Sequence, residues 1–465
     1  MAIDGGLKNI SATDLDKPES YYAGCNKFLL RAVPASAQRI LEVGCAEGHL
    51  GGRLKDTDPR RTVFGIEREP SIAERAKARL DDVFTLDVES EDPAIEPGSL
   101  DCILYGDILE HLIAPQELLI RYRRFLNAQG NILCSIPNLQ HHFLIAAILK
   151  GDFQYTSKGL LDATHLRFFT CSTICKMLLD AGFAPSIVDA IMVPCPRPFL
   201  AAAEPLLRYL GVDPGRGERC LNAYQYIVHG TPLAHDTQTA ESEEPLSLAV
   251  CVSNEATLRA NLLSSPCLGP GSPHELLLMR GCRSAAEGLN RGLARARHPL
   301  VICVHQDVYL PRGWPARMWQ QYRLARELYG GIGILGVYGV SCRNGSVTKT
   351  GCVVDRERLL REGGRLPAPV DTLDELLLAV PKDAPVRFDP QLGFHFYGAD
   401  ICLAAKEKGL STVAVDALCF HNSPHAGVPP EFFASAQAFA AKRARHLPLA
   451  TSCARIDADG KTYVA

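Results

Sequence analysis

The feature that most constrains this chain is a pattern that stops and then resumes. Short apolar, β-branched runs alternate with amphipathic helical stretches as far as about Gly230, yield to the polar, acidic TPLAHDTQTAESEEP, and start again at Leu246. Alternating strands and helices build layered α/β domains with mainly parallel sheets. A segment without apolar periodicity between two such regions reads as a linker. The expectation is therefore two α/β domains, 1–230 and 247–465, joined by a linker at 231–246. The length of 465 residues agrees, because one core rarely organises more than about 250–300 residues.

Composition excludes several function classes. With a net charge of -3 and a pI near 6.5, the chain carries no global attraction for nucleic acid or anionic lipid. The opening MAIDGGLKNISATDLDKPES lacks a signal pattern, and the longest apolar runs, such as Phe143 to Leu149, are too short to span a bilayer. A cytoplasmic protein without a transmembrane segment is expected. The 17 cysteines are scattered and odd in number, many of them in apolar strand-like runs (Cys102, Cys134, Cys251, Cys303), so buried free thiols fit better than a disulfide framework. Cys171 and Cys175 can share a helix face, but there is no CxxC pair to complete a zinc site.

In the first half, Arg39 to Val43, Thr62 to Ile66, Asp101 to Tyr105 and Gly130 to Ile136 read as strands. Pro115 to Leu126 reads as a helix with Leu118, Leu119, Tyr122, Phe125 and Leu126 on one face. The run RILEVGCAEGHLG, Arg39 to Gly51, puts an acid and spaced glycines where a strand ends and a helix begins. Open α/β sheets bind ligands at that end. Gly44 and Gly48 allow close backbone approach, and the GxxxGxxG spacing differs from the GxGxxG of dinucleotide sites, which argues against NAD or FAD. Glu67, at the tip of the second strand, can take two ribose hydroxyls, and Asp87, ending TLDVE's apolar stretch, suits an adenine edge.

These residues carry a resemblance. From about Tyr21 to Val193 the chain resembles the Rossmann-like, class I S-adenosylmethionine methyltransferases, through LEVGCAEG, Glu67, Asp87, LYGDILEHL (Leu104 to Leu112) and THLRFFTCSTICKMLLDAGF (Thr164 to Phe183). The resemblance implies that Glu42, Gly44, Gly48, Glu67, Asp87 and Asp107 surround S-adenosylmethionine, with Glu67 on the ribose and Asp87 on the adenine. Ala46 departs from it, standing where the family usually has glycine. A hydroxyl acceptor must also lose a proton. His111 is the leading base and His165 the second, since neutral imidazole titrates near working pH, while His141-His142 reads as a surface pair.

In the second half, Leu246 to Val252, Leu300 to Val304, Gly333 to Val340 and the later TVAVDAL read as strands and Ala285 to Ala296 as a helix. Leu300 to Val304 runs into His305-Gln-Asp307, whose acid lies at the carboxyl end of a buried strand, where it can hold Mg2+ or Mn2+ against a diphosphate. Further on come Phe388-Asp-Pro, HFYGADICL with Asp400, and Phe420-His421-Asn-Ser. This order, with Arg280 to Asn290 and the LDE of Leu373 to Glu375, resembles the GT-A, family-2-like glycosyltransferases over about Leu246 to His425. It implies Asp307 as the last acid of the metal motif, His421 as a late metal ligand, and Asp400 as the base that deprotonates the acceptor. Arg280, Arg283 and Asn290 fall on the donor side, and Asp374 and Glu375 near the acceptor. His305 stands where the motif usually has an acid.

Two readings follow. One is a bifunctional enzyme that takes a nucleotide-diphosphate sugar and a glycan or small-molecule acceptor, and methylates as well. The other is a single-activity methyltransferase whose second domain is an inactive glycan-binding module.

Overall fold

The computed structural model describes residues 24–233, 244–343, 346–424 and 427–464. The start of the chain, most of the expected linker (234–243), and His425 lie outside the described residues. Two compact units are found, Met1–Ile174 with Ile187–Leu207 and Pro214–Pro232, and Cys175–Ser186 with Arg208–Asp213 and Leu233–Ala465.

The first unit is built on β1 (Arg39–Val43), β2 (Thr62–Glu67), β3 (Asp82–Thr85), β4 (Leu100–Gly106), β5 (Leu126–Pro137), β6 (Phe183–Met192) and β7 (Ala223–Pro232). The sheet order is β3-β2-β1-β4-β5-β7-β6, with β5 and β7 antiparallel and β3 through β5 parallel. Val43 pairs with both Ile66 and Tyr105, so the carboxyl ends of β1, β2 and β4 are level. The chain winds from β1 to one side through β2 and β3, then crosses to β4 and β5 on the other. A crevice opens where the winding reverses. The unbroken burial of Ile40 to Val43 fits a parallel strand covered on both faces.

The second unit contains β8 (Ser247–Val252), β9 (Glu275–Arg280), β10 (Leu300–Val304), β11 (Val308–Tyr309), β12 (Ile332–Gly336), β13 (Tyr338–Arg343), β14 (Ser346–Asp355), β15 (Arg358–Glu362), β16 (Ala368–Pro369), β17 (Thr372–Leu373), β18 (Leu377–Pro381), β19 (Ser411–Ala414) and β20 (Phe420–His421). Its main sheet runs β16-β19-β12-β18-β10-β8-β9, and a second sheet runs β11-β20-β14-β13-β17. β18 is antiparallel to both β10 and β12, and most pairings of the second sheet are antiparallel. The expectation of mainly parallel sheets therefore holds for the first unit and only in part for this one.

Helix Ala285–Arg295, capped by Ser284 through the Glu287 amide, lies on β8. A Cβ at Gly292 would stand 2.5 Å from Ala249 Cβ, so glycine sets the closeness of helix and sheet. We expect Gly292→Val to cost about 1–3 kcal/mol through overpacking, read as a lower denaturation midpoint of the transition followed by tryptophan emission.

Candidate functional sites

At the reversal point of the first unit, Gly44, Ala46 and Gly48 all take positive φ, at 70°, 47° and 74°. A Cβ on Gly44 would meet Ile108 Cδ1 at 3.1 Å, which places the loop after β1 directly against the turn after β4. Glu67 closes onto the same loop: its Oε2 accepts from the Ala46 amide at 3.1 Å and its Oε1 from the Glu69 amide at 3.0 Å. A carboxylate has about four lone-pair sites, so two remain for hydroxyls. Asp87 is part-exposed, accepts from the Glu89 amide, and faces Arg68 at 4.0 Å.

Glu42 differs from the expectation of a ligand-facing acid. It is buried, and its Oε2 accepts from the Gly51 amide at 3.0 Å, tying strand to helix. Burial pushes its carboxyl up to about 8. Asp107, at φ 55°, is open to solvent as a residue, while its Oδ1 accepts from Ser135 and Gln225. Loss of hydration around the carboxyl outweighs those bonds and raises it to about 6.

Beyond β4, the short turn Leu109–His111 carries Glu110 and His111. The amides of Leu166 and Arg167 donate to the Glu110 carbonyl and dock the 162–167 segment there. His111 Nδ1 lies 3.1 Å from the Thr164 carbonyl, and its ring meets His165 edge-on at 4.8 Å between centroids. The two candidate bases are thus brought together. His141 is corrected from surface to interior: it is 2% exposed, caps its helix through the Phe143 amide, and burial lowers it to about 4.

In the second unit, β11 and β20 pair Val308 with His421 and so set Asp307 beside it. His421 Nε2 is 3.5 Å and His305 Nδ1 3.9 Å from Asp307 Oδ1. That oxygen is buried and has no hydrogen-bond partner among the described residues. Three ligand atoms within 4.8 Å of one another, one of them an orphaned carboxylate oxygen, fit a divalent cation. His421 Nδ1 pairs with Asp355 Oδ1 at 2.9 Å. Burial opposes the imidazolium, but Asp307 and Asp355 prevail and raise His421 to about 10. The same contact holds the Asp307 carboxyl well below its usual range, against burial.

Gln306, between the two, is a staple: its Oε1 accepts from the Ser253 and Asn254 amides at 3.0 Å. Tyr397 Oη reaches His305 Nε2 at 2.9 Å. Asp355 and Tyr397 are absent from the sequence reading. An acid at a strand end was the signal available for Asp355, and nothing local marks Tyr397.

Six expected residues have other work. Asp400, read as the base, is 1% exposed and gripped by Arg443 Nε at 2.6 Å and Lys442 Nζ at 2.8 Å. A base needs lone pairs open toward an acceptor, and these are committed to two cations. Asn290, read as donor-binding, clamps the backbone of Phe388, donating to its carbonyl at 2.7 Å and accepting from its amide at 3.0 Å. Arg280 is half-exposed and paired with Glu255 at 2.6 Å, and Arg283 is exposed beside Glu287. Asp374 caps its own turn through the Leu376 amide. Glu375 accepts from the Gly398 amide at 2.8 Å and is pushed up by burial to about 8.

Comparison with known proteins matches two families, one in each half of the chain. A family described as methyltransferase domain matches residues 19–186, and one described as glycosyltransferase like family matches residues 247–428. A malonyl-[acyl-carrier protein] O-methyltransferase of Anoxybacillus flavithermus is 28% identical over 27% of this chain and 48% of its own length. A ubiquinone biosynthesis O-methyltransferase of Roseobacter denitrificans is 26% identical over 33% of this chain and 62% of its own. An uncharacterized transposon protein of Streptomyces fradiae is 28% identical over 34% of this chain and 46% of its own. The chain spans about half the length of the curated relatives it matches. Among solved structures, a possible histamine N-methyltransferase of Thermotoga maritima aligns with a TM-score of 0.33 at 16% identity, covering 45% of this chain and 91% of that one. Residues 19–186 thus belong to the methyltransferase-domain family and residues 247–428 to a glycosyltransferase-like family, joined in one chain.

Proposed function

We propose that the chain is a bifunctional transferase of glycan or glycosylated-metabolite biosynthesis, with a methyltransferase domain at 1–230, a linker at 231–246 and a glycosyltransferase domain at 247–465. The observation that carries the proposal is the closure of Glu67 onto the Ala46 amide at the reversal of the first sheet. In this reading the glycine loop and Asp107 hold the methionine part of S-adenosylmethionine, Glu67 its ribose and Asp87 its adenine. When bound, S-adenosylmethionine supplies a sulfonium methyl for in-line attack, and positioning provides much of the acceleration.

In this reading His111 promotes loss of the acceptor's proton, in the tautomer whose Nδ1–H is directed at the Thr164 carbonyl and whose lone pair sits on Nε2. In the second unit, Asp307 and His421 are the ligands we propose for Mg2+ or Mn2+, with oxygens of the donor diphosphate making the rest of the ligand set oxygen-rich, which the imidazole-rich group of the first unit is not. When bound there, the metal supplies positive charge to the diphosphate of a nucleotide sugar. With Arg280, Arg283 and Asn290 engaged in other contacts, donor handling rests on Asp307 and His421. No helix among the described residues is long and apolar enough to cross a membrane, and the free thiols accord with a cytoplasmic setting.

Isothermal titration tests the reading. S-adenosylmethionine is expected to bind the full chain, and Glu67→Ala to weaken it about 10- to 100-fold, the loss of charge-assisted hydrogen bonds. Absence of heat with S-adenosylmethionine and with every nucleotide-diphosphate sugar would remove the proposal.

A further inference from the structure

The first unit holds a group of side chains that cofactor binding does not use. Glu110 is 1% exposed, and neither of its carboxylate oxygens has a hydrogen-bond partner among the described residues. Its one ion-pair contact there is His165 Nε2, at 3.9 Å. Asp107 and Asp162 act on it as further negative charges. A buried carboxylate without donors costs several kcal/mol unless a cation faces it.

The surroundings supply what a cation needs. One oxygen of Glu110 and one nitrogen from each of His111 and His165 lie within 4.8 Å of one another. Ligands of a single zinc ion stand about 3–3.5 Å apart, given metal–nitrogen and metal–oxygen bonds near 2.0–2.2 Å, so shifts of about 1 Å bring the three onto one ion. The outer partners are already in place. His111 Nδ1 faces the Thr164 carbonyl at 3.1 Å, and Thr164 Oγ1 donates to Asp162 Oδ1 at 2.7 Å. Metal-bound histidines are oriented by such a bond from the second ring nitrogen.

We propose that Glu110, His111 and His165 bind a divalent transition metal ion, zinc by preference, in the methyltransferase unit. Two imidazoles and one carboxylate suit zinc better than magnesium or calcium, which favour all-oxygen sites. Three protein ligands leave one tetrahedral position open. On the methyl-transfer reading that position takes the acceptor hydroxyl, whose pKa the metal would lower so that the proton leaves to solvent; the ion then occupies the Nε2 lone pair of His111 and replaces its part as a free base. Metal binding itself does not depend on that reading.

The test counts zinc on the full chain. Protein stripped by chelator is dialysed against micromolar Zn2+, and bound metal is measured by mass spectrometry for the wild type, Glu110→Gln, His165→Ala and Asp307→Asn. One zinc per chain is expected to be lost with either Glu110→Gln or His165→Ala and retained with Asp307→Asn, which isolates this site from the cluster in the second unit. Stripped protein loaded with Co2+ is expected to show tetrahedral visible absorption that His165→Ala abolishes, while circular dichroism confirms that each variant is folded. Equal zinc on the wild type and on both first-unit variants would overturn the proposal, as would no zinc on the wild type. Titration with S-adenosylmethionine on the same zinc-free samples reads the methyltransferase assignment separately.

Discussion

Replacing Asp400 with Asn is expected to destabilise the second unit by about 3–5 kcal/mol, the cost of leaving a buried charge without its partner. Arg443, 8% exposed, would keep only Glu407 and the Asp400 carbonyl, and Lys442 would keep Asp389. Both tryptophans, Trp314 and Trp319, lie in this unit. Denaturant titration followed by tryptophan emission therefore reports it directly. A base role makes the opposite forecast, an unchanged midpoint with transfer abolished. Arg443→Ala should cost a similar amount, and the double variant less than the sum, because the two changes remove one interaction. Full additivity would show that the pair is not coupled.

Glu42→Gln is expected to make the first unit more stable in alkali than the wild type. The sign follows from proton binding. A carboxyl raised from 4.5 to about 8 in the fold keeps its proton where the unfolded chain has lost it. Wild-type stability therefore falls as pH rises from about 4.5 to about 8 and then levels off. One unit is worth about 1.4 kcal/mol, so the shift bounds the effect at roughly 5 kcal/mol. Glutamine can still accept from the Gly51 amide but has no proton to lose. Melting curves at pH 6 and pH 9, followed by a signal specific to the first unit, should separate the two proteins further at the higher pH, where the fall is complete. Parallel curves at both values would mean that Glu42 is hydrated. Glu375 imposes the same slope on the second unit.

What the sequence displayed was whatever a contiguous run can encode. Leu300 to Val304 is a strand to the residue, and the helix at Ala285 ends one residue short of expectation, because burial along each run is continuous or periodic. Gly333 to Val340 was read as one strand, yet it divides at Val337 into β12 and β13, which belong to different sheets. No local signal announces a change of sheet. The helix read over Pro115 to Leu126 closes at Tyr122 and a 3-10 turn leads straight into β5, which begins at Leu126, before the expected strand start at Gly130.

The sites divide similarly. Glycines that must take positive φ and acids at strand tips are visible because backbone geometry demands them. Whether a polar group serves chemistry or architecture depends on partners far along the chain. Asn290 meets Phe388 and Asp400 meets Arg443, so identical residue types in a familiar order became structural clamps. Thr164 and Asp355, which orient two of the histidines, are equally remote in sequence from the rings they steer.

Ala46 differs from the glycines on either side in carrying a side chain at positive φ. A methyl-bearing residue in the left-handed region costs roughly 1–2 kcal/mol relative to the ordinary right-handed choice. Yet the same methyl narrows the shapes open to the unfolded segment. Once formed, this stretch has few places to wander. A nucleoside arriving at the crevice would meet a mould already cast, with little ordering left for the encounter itself to accomplish.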